Sequence, residues 1–161
     1  MKFVFQILPW KRSIQLSIAV LSLLIIFSFY GLYSNTFYLL NPDNYIFPLL
    51  SLIHFTFLYV LWFKIKEDEL TDPLMRKIEY LLYAVLFVYI YEAFETARIL
   101  TTYNDFPNHV MPKTFLPMGT FILFLQVLLL LSTLITFKYR KEIVGDYKFD
   151  DMNEHIDSWE N

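Results

Sequence analysis

The sequence predicts an all-α integral membrane protein: a bundle of four transmembrane helices, both termini cytoplasmic, with a short amphipathic cytoplasmic helix at the C-terminus. Three observations predict it. Of 161 residues, 57 % are hydrophobic and 20 % aromatic, against 18 % charged; a soluble domain of this size is about half apolar and about a quarter charged. The apolar residues fall into four blocks, each long enough to cross about 30 Å of hydrocarbon at about 1.5 Å per residue. The cations, finally, concentrate on alternate connections, as the positive-inside rule expects.

The first block, residues 13–33 (SIQLSIAVLSLLIIFSFYGLY), carries no charge. Lys2, Lys11 and Arg12 precede it, as in a signal peptide. The apolar run is too long for one, however, and no small-residue cleavage site follows, so it reads as a span. The second block, residues 45–63, follows Asn41-Pro42-Asp43-Asn44, which is turn chemistry. The third, residues 78–98, has a well-marked start. Asp72 can cap the free amides of a first turn, and Pro73 suits the first helical position, where its missing N–H costs nothing. That helix is expected to begin near Pro73 and to enter the bilayer near Ile78. The fourth block, residues 115–137, follows Met111-Pro112 and ends at Lys138-Tyr139-Arg140-Lys141. With three glycines in the chain and no GxxxG pair, the helices are expected to meet through bulky side chains. Residues 1–141 thus form a transmembrane domain and residues 142–161 an acidic tail.

Charge orients the bundle. Lys2, Lys11, Arg12, Lys64, Lys66, Arg76, Lys77, Lys138, Arg140 and Lys141 put ten cations on one side. Residues 34–44 carry none, and residues 99–114 only Lys113, with Arg98 at the edge. Both termini are therefore expected on the cytoplasmic side.

Composition also excludes functions. The net charge of −3 is mixed and small, without the basic face that nucleic acid requires. The absence of cysteine removes disulfides, thiolate catalysis and Cys-ligated metal. The scarcity of glycine removes phosphate-binding loops. No cofactor is predicted; lipids are expected at the bundle surface.

Ionisable residues inside a span are functional candidates by default, and the third span ends in YEAFETARIL. Glu95 and Arg98, three apart, are neighbours on the helix surface and read as an interfacial ion pair, the cation at the favourable C-terminal end of the dipole. Glu92 is deeper, about 21 Å from Ile78 and about 9 Å from the outer hydrocarbon edge. Counting inward places His54, Gln126 and Ser28 at a comparable depth, one polar group per helix. Glu92 is expected to find a donor there, among His54, Tyr89, Thr96 and Gln126, or to be protonated. A metal site would need Glu92 and Glu95 joined by Asp105 and His109, but no Glu-x-x-His motif supports it.

In the tail, Phe149, Met152, Ile156 and Trp159 form an apolar stripe opposite an acidic face. Anionic lipid repels such a helix, so the stripe is expected to dock on protein. Three functions follow. The first is an accessory or assembly subunit of a larger membrane complex, such as a bioenergetic one, with other membrane subunits and lipids as partners. The second is a proton- or cation-handling protein centred on Glu92 with His54. The third is a small membrane metal-binding factor or enzyme using Glu92, Glu95 and His109. Catalysis of its own is the weaker expectation.

Overall fold

The computed structural model describes residues 9–105 and 111–147. Four helices dominate it: α1 (Trp10–Phe27), α2 (Ile46–Lys66), α3 (Pro73–Thr101) and α4 (Phe115–Tyr139). All four are long and apolar enough to cross a membrane, the architecture of a multi-pass membrane protein. Each helix packs on its neighbours in sequence, and α4 closes the ring against α1. The buried seam is mainly large and apolar, with Leu21, Phe57, Leu61, Leu82 and Phe115 wholly inaccessible. The acidic C-terminal helix expected from the sequence, with Phe149, Met152, Ile156 and Trp159, lies outside the described residues.

The first span is shorter than hydropathy suggests. Helix α1 stops at Phe27, and residues 28–33 leave the helix for a hairpin of β1 (Tyr30–Gly31) and β2 (Thr36–Phe37). Tyr30 pairs with Phe37 and Gly31 with Thr36, antiparallel. Hydropathy counts Tyr-Gly-Leu-Tyr as apolar, but aromatic residues favour strands and glycine ends helices. A Cβ on Gly31 would stand 2.5 Å from Cε2 of Tyr38, so a larger residue there would displace that exposed ring. Asn35 turns the chain with φ 54°, a left-handed conformation that asparagine tolerates.

The hairpin fills a step left by helices of unequal reach. Phe27, the last residue of α1, meets Phe121 edge-on at 5.7 Å, and Phe121 lies about 9 Å inside α4. Helix α4 therefore overhangs the end of α1. Under the overhang, Tyr33 reaches Phe115 with ring centroids 5.3 Å apart, and Thr114 Oγ1 donates to Asn35 Oδ1 at 3.0 Å.

The α1–α4 seam also departs from the expectation of bulky contacts. Ser13 and Ser17 of α1, and Ser132, Thr133 and Thr136 of α4, are among its buried residues. Small hydroxyl residues let helices approach as glycine does. Ser17, Ser132, Thr133 and Thr136 each donate to a carbonyl one turn back in their own helix, which satisfies the hydroxyl without a partner helix.

At the opposite end, α3 begins at Pro73, as the Asp-Pro pair predicts. Asp72 Oδ1 accepts from the Met75 amide at 2.6 Å, and its other oxygen lies 2.8 Å from Lys64 Nζ. Lys64, buried at the end of α2, also holds Glu69 at 2.8 Å, so one ammonium closes the α2–α3 turn. The Lys64 ammonium, and then the Met75 amide, keep the Asp72 carboxyl below the usual carboxylate range. A carboxyl depressed by folding contributes stability above its unfolded value, near pH 4, and loses it as pH falls through the folded value. Asp72→Asn is therefore expected to flatten the dependence of the unfolding midpoint on pH below about 4. Thermal unfolding in detergent checks this, and parallel wild-type and variant curves over that range would contradict it.

Candidate functional site

Two polar sites stand at opposite ends of the bundle, and they differ in how far they are satisfied. The first centres on Glu79, about 9 Å inside α3 and 1 % exposed. Arg140 Nη2 donates to its Oε1 at 2.7 Å, and the Tyr83 hydroxyl to the same oxygen at 3.0 Å. The Tyr147 hydroxyl donates to Oε2. Burial, and then the Glu79 carboxylate, push the Tyr147 phenol above its ordinary value, so it remains a donor at neutral pH.

The path that brings Tyr147 back is set by the backbone. After α4 the chain makes a π-turn over Arg140–Val144 and reverses at Gly145, whose φ of 101° and ψ of 179° lie in a region open almost only to glycine. Arg140 Nη1 then donates to the Gly145 carbonyl at 3.1 Å, and its guanidinium sits 4.4 Å from the Tyr147 ring centroid. Thr71 Oγ1 donates to the Asp146 carbonyl at 3.1 Å, tying this segment to the α2–α3 turn. Both oxygens of the carboxylate have donors, while Arg140 Nε is buried without a partner among the described residues, and the centre has the character of a structural tie.

Sequence reasoning missed it. Glu79 falls one residue inside the expected third span and Arg140 in the cationic run that ends the fourth, so both read as interfacial charges. The available signal was their opposite sign at the start of one helix and the end of the next, which antiparallel packing brings together.

The second site is a cleft of about 390 Å³ at the hairpin end. Ser28, Asn44, Glu92, Thr96 and Gln126 line it, with Asp43 exposed beside them. The structure thus brings three of the four polar residues expected at one depth, Ser28, Glu92 and Gln126, to one cleft. Glu92 is half-buried. Neither His54, Tyr89, Thr96 nor Gln126 donates to its carboxylate, and Thr96 Oγ1 donates instead to the Glu92 backbone carbonyl at 2.9 Å. Gln126 is 9 % exposed, and its Oε1 has no hydrogen-bonding partner among the described residues.

His54 shares the depth but not the cleft. It is wholly buried, its ring 5.9 Å from Tyr89 in a stacked arrangement, and Tyr89 lies 5.3 Å from Phe47. Phe47 lines the cleft, so two aromatic rings separate His54 from it. Neither ring nitrogen of His54 has a hydrogen-bonding partner among the described residues. The Tyr89 hydroxyl is near Ser51, but Ser51 donates to the Phe47 carbonyl at 2.8 Å, and no well-formed hydrogen bond joins the two hydroxyls.

Glu95 and Arg98 are ion-paired at 3.0 Å, with the Arg98 side chain largely exposed. Among the described residues no group of three His, Asp or Glu side chains is placed to hold a metal. His109 and the side chain of Asp105 lie outside those residues. Compared with known proteins, the chain matches no family model, no curated protein and no solved structure.

Removing one member of a buried ion pair leaves the other charge uncompensated. Arg140→Leu is expected to cost about 3 kcal/mol, and the double variant with Glu79→Leu to recover at least half of that. Chemical unfolding of the four proteins in detergent measures the cycle, and additive losses would show the pair to be uncoupled. At His54 the sign reverses, because an apolar residue removes two unsatisfied nitrogens. His54→Leu is expected to leave stability unchanged or raise it by about 1 kcal/mol; a loss larger than that would reveal a partner for the imidazole.

Proposed function

We propose that this multi-pass protein is a non-catalytic accessory or assembly subunit of a larger membrane complex, with both termini on the cytoplasmic side. The observation that carries this reading is the separation of its two polar sites. Between the Glu92 cleft and the Glu79 centre the core consists of Leu21, Phe57, Leu58, Leu82, Val85 and Leu129, each at most 3 % exposed. Ser17, Ser51 and Thr133 turn their hydroxyls to their own helix carbonyls, and His54 and the Tyr89 hydroxyl have no partner among the described residues. A conduction path needs polar groups across the whole bilayer, and the apolar layer argues against one.

The orientation is supported by the cations. Lys11, Arg12, Lys64, Lys66, Arg76, Lys138, Arg140 and Lys141 belong to the end where α1 and α3 begin and α2 and α4 finish. Lys11 lies 5.4 Å from the Trp10 ring and Lys66 5.3 Å from the Trp62 ring, the pairing of tryptophan and lysine found at an interface. The apolar tail stripe, Phe149, Met152, Ile156 and Trp159, is the expected contact with a partner subunit.

A second reading, a cation site at Glu92, is favoured by the carboxylate that no described side chain satisfies. The two differ in what purification shows. Extracted in a mild detergent from its native membrane, the chain is expected to co-migrate with at least one other membrane protein in fixed ratio, identified by mass spectrometry. Truncation after Tyr147 is expected to release that partner while leaving the bundle folded. A chain that migrates alone under several mild detergents would overturn the subunit reading.

A further inference from the structure

We propose that the cleft at the hairpin end binds an organic ammonium group, its N–H donors directed to the Glu92 carboxylate. The inference deepens the reading of Glu92 as a cation site and rests on it, and it names the class of cation.

Hydrogen-bonding capacity in the cleft is one-sided. Ser28 donates its hydroxyl proton to the Ile25 carbonyl at 2.8 Å, and Thr96 to the Glu92 carbonyl. Tyr30 donates to Asn35 Oδ1, and Asn44 Nδ2 to the Tyr38 carbonyl at 2.8 Å. The three hydroxyls thus have their protons committed elsewhere and present lone pairs, and one N–H of Asn44 is likewise committed. To these the cleft adds the Glu92 carboxylate, which no described side chain satisfies, beside the almost fully buried Gln126. Such a surface calls for a ligand rich in donors.

Charge points the same way. Glu92 and Asp43 are the charged residues lining the cleft, and no Lys, Arg or His lines it. The nearby cation Arg98 is exposed and held by Glu95. Size and walls then separate an organic cation from an inorganic one. A cleft of about 390 Å³ is far larger than the coordination shell of one ion, and no group of three His, Asp or Glu side chains among the described residues converges in it. Phe27, Phe47 and Ile122 supply apolar wall for carbon substituents, and aromatic faces attract a cation directly. A primary ammonium group meets these requirements whether it belongs to an ethanolamine lipid headgroup or to a free amine.

The test uses the purified full chain in a nonionic detergent. Butylammonium chloride is expected to raise the unfolding midpoint saturably, whereas tetramethylammonium, which has no N–H, and sodium or calcium at equal ionic strength are not. Glu92→Gln is expected to weaken the effect roughly tenfold or more, as loss of a charge-assisted hydrogen bond does. Glu92→Asp, which keeps the charge but shortens its reach, serves if Glu92→Gln does not fold. The source is read separately by native mass spectrometry from mixed vesicles of phosphatidylethanolamine and phosphatidylcholine. Selective retention of the ethanolamine lipid, lost in Glu92→Gln, identifies a headgroup; a butylammonium effect without it identifies a free amine. A saturable response to sodium or calcium alone, lost in Glu92→Gln, would overturn the ammonium proposal and keep the cation reading. No response to any cation and no lipid preference would overturn both.

Discussion

A carboxylate 1 % exposed in a membrane helix is tolerable only with donors around it, and satisfying Glu79 organises one whole end of this protein. Its donors come from its own helix (Tyr83), from beyond the end of α4 (Arg140), and from beyond a chain reversal (Tyr147). To deliver them, α4 must stop at a fixed height beside α3. The π-turn must present the guanidinium inward, and the reversal at Gly145 must return the phenol to the same carboxylate. The Thr71–Asp146 bond then carries the constraint into the α2–α3 turn, where Lys64 and Asp72 complete it. Such a pair is weak evidence for stability gained over an apolar alternative, since desolvation offsets much of the attraction. What it supplies is register, because Arg140 and Tyr147, both carried by the end of α4, meet the one carboxylate of α3.

The hairpin end follows the opposite logic. Glu92 and Gln126 face a cleft in which the neighbouring donors have already been given to backbone carbonyls. Buried and half-buried polar groups in native proteins find partners as a rule. A site that consistently leaves acceptors unfilled is therefore set apart from the centre around Glu79. Position in the membrane does not explain the contrast, because both sites lie near bundle ends. The contrast lies in the connections. An eight-residue return after α4 (Arg140–Tyr147) brings donors back to Glu79, whereas the hairpin bonds to itself and to Thr114 and offers Glu92 nothing.

How far the sequence revealed this depends on the range of the interaction. The four helices and the start of α3 rest on contiguous apolar runs and on the local Asp72-Pro73 pair, so they were legible. The end of α1 was not, because Tyr30 and Tyr33 score as apolar whether they stand in a helix or in a hairpin at its end. Counting residues put Ser28, Glu92, Gln126 and His54 at one depth, and the first three line one cleft. Depth along a helix says nothing of azimuth, and the rings of Phe47 and Tyr89 keep His54 from the cleft. The Glu79–Arg140 pair, 61 residues apart, needed the packing of α3 against α4 before either charge meant more than an interface.

The unequal helices explain why the second site exists at all. Helix α1 has 18 residues and α4 has 25, about 27 Å and about 38 Å of rise. With both ends of α1 matched to the hydrocarbon, about 30 Å thick, the surplus of α4 extends into the headgroup region at the hairpin end. The hairpin occupies the space over α1 with Tyr33, Phe37 and Tyr38 exposed, residues suited to that depth. The cleft opens beneath it, walled by the longer helices. A group entering there arrives from the headgroup layer and meets Glu92 before reaching the apolar core. Glu92 stands at that end of the bundle, and the buried Leu21, Phe57 and Leu82 lie between it and Glu79. That geometry suits recognition of a headgroup-depth ligand or partner better than transport across the bilayer.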